Sequence, residues 1–170
     1  QRGITLNLDT IQGQSIFRDL ATRCDAVIES FQPGYLDARE VGYDSLSRLE
    51  SSIVVVSITA FGQDGPYSAY VGTDLVINAM GGFLYVTGDP DRPPVRIGFP
   101  QSWLIAGAAA SAGTALALYH RTSTGEGQHV DVSAQAAVAR TLDRSPAFWD
   151  VGSQVLTRNG LLGRPGGGPL

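Results

Sequence analysis

The chain has 170 residues, enough for one domain of ordinary size. Hydrophobic residues make up 43% and charged residues 16%, a composition that excludes a disordered chain. The net charge is -4 with acidic and basic side chains interspersed, which excludes the basic stripe of a nucleic-acid binder and any charged interaction arm.

In chain order, Ile4-Thr5-Leu6-Asn7-Leu8 is a strand-like run. Asp9 or Thr10 caps a predicted helix reaching about Arg23, with Ile11, Phe17 and Leu20 on its apolar side. Cys24 is the single cysteine; it has no disulfide partner within the chain, fits a reducing cytosol and so a cytoplasmic protein, and reads as a small core residue. The opening residues lack the pattern of a signal peptide. Residues 25–31 read as a short buried strand, broken by the turn Gln32-Pro33-Gly34. Residues 44–49 form a short helix. Residues 53–58, Ile-Val-Val-Val-Ser-Ile, are β-branched and nearly all apolar, as a parallel strand covered on both faces requires.

A loop follows over residues 62–72, with Asp64 as one of its turn residues. Thr73 or Asp74 caps a helix that ends at Gly81-Gly82. Residues 87–94 are a polar turn region that includes Asp89. Ser102 is expected to cap a long apolar helix reaching about His120. Its apolar run, residues 104–119, falls short of the ~20 residues that span a bilayer and reads as a buried helix, so no membrane partner is expected. A turn at residues 124–127 leads into a strand over 128–132, where Asp131 satisfies local backbone groups. Ser133 opens a last helix running towards Trp149. Strands alternating with helices define an α/β chain with a mostly parallel sheet and flanking helices. Ligands of such sheets bind beyond the carboxyl ends of the strands, here after Phe31 and after Ala60.

Four segments carry a resemblance. They are Ile28-Glu29-Ser30-Phe31-Gln32-Pro33-Gly34, Val56-Ser57-Ile58-Thr59-Ala60-Phe61-Gly62-Gln63-Asp64-Gly65-Pro66-Tyr67, Thr87-Gly88-Asp89-Pro90 with Pro93-Pro94-Val95-Arg96-Ile97-Gly98, and the run from His120 to Ser133 with Thr124-Gly125-Glu126-Gly127-Gln128-His129-Val130-Asp131-Val132 at its centre. In order and spacing they resemble the family III CoA-transferases, the superfamily of formyl-CoA transferase, carnitine-CoA transferase and α-methylacyl-CoA racemase. The resemblance holds from Arg2 to about Thr141.

It implies a Rossmann-like large domain covering residues 1–141, with 142–170 beginning a linker towards a small domain outside an internal segment of a longer chain. It also implies two chains interlocked as a homo- or heterodimer. Coenzyme A and its thioesters would be substrates, a carboxylic acid the acceptor, and neither a tightly bound cofactor nor a metal is expected. Positions matching the family's CoA contacts are Leu6, Asn7 and Leu8, then Ser30, Phe31 and Gln32, then Gly72, Thr73 and Asp74. Phe31 either packs on CoA or closes its strand in the core. Asp9 stands where some members carry a lysine, and Arg39 either offsets that acid or is a solvated surface arginine. Gly166-Gly167-Gly168 is similar to the family's mobile glycine loop, although its composition favours a flexible linker.

The family's nucleophile is an aspartate at the start of a helix, a few residues after an Arg-x-Gly-x-Pro segment. Its carboxylate attacks the thioester, releasing CoA thiolate and forming a mixed anhydride; the anhydride captures that CoA on the aspartate as the first acid leaves, and a second acid then takes the CoA over. Here the segment is Arg96-Ile97-Gly98-Phe99-Pro100 and the matching position is Trp103, whose indole is no nucleophile. Ser102 and Asp74 are weak substitutes: a serine needs a base in reach, and His120 and His129 are distant in sequence. The racemases pair their aspartate with a histidine in Gly-His-Asp, whereas this chain has Gly72-Thr73-Asp74, so racemisation is the poorer reading. The expectation is a CoA-transferase subunit lacking its own nucleophile, with a non-catalytic acyl-CoA-binding module as the alternative.

Overall fold

In the computed structural model, which describes residues 3–142 and 144–160, three parallel strands form one sheet in the order β1-β2-β3. The strands are β1 (Ala26–Glu29), β2 (Val54–Thr59) and β3 (His129–Ser133). Helix α1 (Ile11–Ala21) precedes β1, α2 (Tyr43–Leu49) links β1 to β2, and α3 (Asp74–Met80) and α4 (Gln101–Thr124) link β2 to β3. Two further helices follow, α5 (Ala134–Arg140) and α6 (Arg144–Gly152). This is the expected α/β architecture.

Strand β2 is central because its sequence suits no other place. Val54, Val55 and Val56 are fully buried, and each face of the strand meets a different helix layer. Val54 and Val56 pack with Val132, Ile77, Ala106, Ala110 and Val138 beneath α3, α4 and α5. Val55 and Ile53 pack on the opposite side with Ala21 of α1 and Leu46 of α2. Alternating side chains of one strand therefore serve two cores, as in a doubly wound sheet.

Local signals set most element boundaries. The hydroxyls of Thr10, Thr73 and Ser133 accept hydrogen bonds from the N–H groups of Gly13, Val76 and Ala136, capping α1, α3 and α5. Gly125 ends α4 in the left-handed region at φ 76°, and its N–H donates to Arg121 at 2.8 Å. Two residues on, Gly127 passes so close to β2 that an added Cβ would lie 1.9 Å from the Ile53 carbonyl oxygen. Gly127→Ala is expected to destabilise the protein by about 2–3 kcal/mol through forced backbone movement. A thermal or denaturant midpoint equal to wild type would show instead that this turn yields at no cost.

Several expectations are corrected. Residues 4–8 form no strand, since no described segment lies beside them to complete a hydrogen-bonded ladder. Cys24 is exposed, not buried, because it follows the end of α1 on the rim of the molecule. The last helix is two: α5 stops at Arg140 and α6 begins at Arg144. Pro146 explains the break, since within a continuous helix it would remove an N–H and clash with the preceding turn, whereas in the first turn of α6 it is tolerated.

Helix α4 is buried on one side only. Ala106, Ala110 and Ala117 seat it on the core, while Leu104, Leu116 and Tyr119 are exposed. Its 24 residues have the length and apolarity of a membrane span, which the shorter run counted from sequence did not. Residues 166–168 lie outside the described residues.

Candidate functional site

Past the carboxyl ends of β1 and β2 the chain opens into a cleft of about 130 Å³. Ser30, Phe31, Gln32 and Pro33, which leave β1, make one wall. Ile58, Thr59 and Ala60, at the end of β2, make the floor, and Ser68, Tyr70, Val71 and Gly72 make the opposite wall. The indole of Trp103 closes the cleft from α4. An adjoining lobe of about 280 Å³ lies between Gln32, Pro33, Ser68, Ala69 and Tyr70. The loops leaving β1 and β2 turn towards opposite faces of the sheet, and the crevice between such loops, beyond the carboxyl ends of the strands, is where open α/β sheets bind ligands.

Packing holds the far wall in place. Gly72 lies so near the end of β2 that a Cβ would come within 2.4 Å of the Ala60 Cβ. Tyr70 and Tyr67 pack with each other at 5.4 Å and with the buried ring of Phe61 at 6.4 and 6.3 Å. The aromatic triad thus anchors an otherwise irregular loop.

The start of α4 is held from outside the helix. Pro100 is its N-cap and offers no side-chain acceptor. Asp74, the first residue of α3, supplies one instead: its Oδ1 accepts the Ser102 N–H at 2.9 Å and the Ser102 hydroxyl at 2.7 Å. Its Oδ2 accepts from Arg96 Nε at 3.3 Å. Ser102 is therefore not the cap expected from sequence; it lies inside the first turn, fully buried, and donates to the group that does the capping. Burial pushes the Asp74 carboxyl up, but the hydrogen bonds from the Ser102 hydroxyl and N–H and the nearby Arg96 outweigh it and hold the group below the usual carboxylate range. An ionised carboxylate at the positive end of a helix is the favourable charge for that position.

This geometry bears on the two substitute nucleophiles. The Ser102 hydroxyl has no exposed surface through which to reach a ligand. His120 sits five turns further along the same helix, roughly 27 Å away at 1.5 Å per residue. His129 bonds Ser57 Oγ at 2.9 Å and stacks on Tyr43. The Asp74 carboxylate is occupied on both oxygens.

The structure brings Ser30, Phe31, Gln32, Gly72 and Trp103 together in one cleft. Thr73 and Asp74 stand just behind its wall, as cap of α3 and anchor of α4. Leu6, Asn7 and Leu8 do not line the cleft; the Asn7 and Leu8 carbonyls accept bonds from Thr10 and Gln14 of α1. A chain of contacts connects the two regions. Phe31 is exposed rather than closing its strand in the core, and stacks on Tyr35 at 4.5 Å. The Arg39 guanidinium lies 3.6 Å from the centre of the Tyr35 ring, and its Nε donates to Asp9 at 2.9 Å. Arg39 is thus committed to Asp9, not a solvated surface arginine. Asp131 accepts a backbone N–H as expected, but that of Gln63 at 2.8 Å, 68 residues away in the loop after β2 rather than a local one. Sequence reading missed Tyr70 and Ser68; the one signal was the pair of tyrosines, Tyr67 and Tyr70, in a loop beside the end of β2.

Comparison with known proteins identifies the class. The family model described as CoA-transferase family III matches residues 1–165, and the chain belongs to that family. The match passes the point near Thr141 where motifs stop being legible. Among curated relatives, the chain is 39% identical over 155 residues to the succinyl-CoA:(R)-benzylsuccinate CoA-transferase subunit BbsE of Thauera aromatica, covering 91% of this chain and 38% of that protein. It is 33% identical over 164 residues to the succinyl-CoA--L-malate CoA-transferase beta subunit of Chloroflexus aurantiacus, covering 94% and 40%. The crystal structure of a CAIB/BAIF family protein from Brucella suis matches with a TM-score of 0.89 at 33% identity, over 94% of this chain and 42% of that one. The chain thus spans about two fifths of the length of these relatives.

Proposed function

We propose that the chain is the CoA-binding part of a CoA-transferase subunit that moves CoA between an acyl-CoA thioester and a carboxylic acid, and that it relies on a homologous, aspartate-bearing chain for the nucleophile. The observation that carries this reading is the cleft itself. Loops that the resemblance aligns with the family's CoA contacts line its walls, and Trp103, which the resemblance aligns with the family's attacking carboxylate, closes it from α4. A carboxylate is nucleophilic at neutral pH and its acyl anhydrides are reactive enough to turn over; an indole offers neither property. Support for division of labour comes from relatives whose names make them subunits of CoA-transferases. The interlocked dimer would bring the two chains together. Phe31, exposed at the lip and backed by Tyr35 and Arg39, is placed to pack against CoA.

The test is CoA transfer from succinyl-CoA to a panel of carboxylic acids by the full-length protein, alone and with its aspartate-bearing homologue. The expected result is no transfer alone and transfer on mixing. Transfer by the isolated protein would overturn the proposed dependence on a partner. Binding of acyl-CoA with no transfer in any mixture would favour the non-catalytic binding module.

A further inference from the structure

The cleft is selective in charge as well as shape. All 12 arginine and lysine residues of the chain are arginines, and among the described residues no charged side chain of either sign lines either lobe. The two arginines tied to residues around the cleft have carboxylate partners already, Arg39 with Asp9 and Arg96 with Asp74. A ligand carboxylate placed in the inner lobe would give up its water and gain no cation in exchange. CoA's phosphates have the same difficulty there, which leaves the cleft to the neutral part of a thioester.

The lobe beside Trp103, the inner lobe, is lined by the apolar side chains of Phe31, Ile58, Ala60, Tyr70, Val71 and Trp103, with Ser30, Gln32, Thr59 and Ser68 also on its walls. Its volume of about 130 Å³ is close to the roughly 150 Å³ at which an apolar protein cavity takes up one benzene molecule. Two of these side chains, Tyr70 and Trp103, offer aromatic faces and edges to a ring between them. The adjoining lobe of about 280 Å³ shares Gln32 and Ser68 with the inner one and lacks its aliphatic floor and the indole; the amide and hydroxyl give an amide-bearing arm groups to bond with.

We propose that the inner lobe beside Trp103 holds an aryl group at the end of the acyl chain, so that the site takes arylalkyl-CoA thioesters in preference to those of dicarboxylic acids. This rests on the reading that the cleft holds the thioester arm of CoA. Trp103 is then a specificity residue: the substitution that removes a nucleophile also builds the ring-binding wall.

Binding to the full-length protein, purified without a partner, is measured by titration calorimetry with phenylacetyl-CoA, succinyl-CoA and CoA. Phenylacetyl-CoA is expected to bind about tenfold more tightly than succinyl-CoA. In Trp103→Ala that ratio is expected to fall towards one. A ratio of dissociation constants within one protein is insensitive to the fraction that has folded, so a partly unfolded variant still answers the question. A second reading compares tryptophan emission in wild type and in Trp103→Phe: phenylacetyl-CoA should change the emission of wild type more than CoA does, and that difference should be lost in the variant. Equal affinities, or tighter binding of succinyl-CoA, would overturn the aryl preference while leaving CoA binding intact. An aryl preference that survives Trp103→Ala would overturn the role given to the indole. Failure of all three ligands to bind would overturn both this proposal and the reading beneath it.

Discussion

Trp103→Asp is expected to give the full-length protein, without any partner, CoA transfer activity on the order of 100-fold or more above wild type. The reason is positional. Residue 103 is in the first turn of α4, its side chain faces the cleft, and the turn is fixed from outside by Asp74. A carboxylate there would meet the positive end of the helix, which favours the ionised, nucleophilic form. The smaller side chain would also open the inner lobe, giving the thioester carbonyl room to approach. Transfer from succinyl-CoA to a panel of acids, followed as exchange of the acyl group, reads the gain directly. A variant that folds and binds CoA yet transfers nothing would show that the cleft lacks more of the reaction centre than one carboxylate.

Loss of the Asp74 side chain is expected to be the most damaging single change near the site. Asp74→Ala would leave the Ser102 hydroxyl and N–H buried with no acceptor and release Arg96. The expected cost is about 2–4 kcal/mol, most of it from Ser102, since Arg96 is half exposed and its ion pair is screened. Asp74→Asn keeps an acceptor oxygen and should lose less.

The same pair of proteins gives a pH test. A carboxylate held below its ordinary value in the folded state contributes stability that is fully present above the unfolded value of about 3.9 and disappears as pH falls through the folded one. Wild type should therefore exceed Asp74→Asn in stability by a constant amount near neutrality, and the two should converge below about pH 4. A difference that grows on acidification would contradict the assignment of Asp74 as an ionised anchor.

How much of this was legible depends on distance along the chain. Helices α1, α3 and α5 could be read because Thr10, Thr73 and Ser133 cap them from three residues away. Strand β2 could be read because a run of buried β-branched residues fits a strand covered on both faces. The motifs around Ser30–Gly34 and Thr59–Tyr67 could be matched to a family because they are contiguous. None of these signals reaches across space. The anchor of α4 is 28 residues from the serine it holds, and Ser102 was read as a cap because nothing nearby in sequence announces Asp74 as the acceptor. Asp9 and Arg39 are 30 residues apart, so whether the arginine offsets the acid could not be decided from either.

By itself, then, the sequence determined the alternation of strands and helices and the parallel strand covered on both faces, and its motifs suggested Trp103 at the position of the family's aspartate. These follow from local conformational preference, periodic burial and contiguous motif. Tertiary structure alone decided that Phe31 faces solvent, that Tyr70 joins Trp103 across one cleft, that Leu6, Asn7 and Leu8 stand apart from it, and that among the described residues no cation lines it. Those outcomes depend on how loops from separate crossovers meet at one edge of the sheet, and packing between distant segments fixes that meeting.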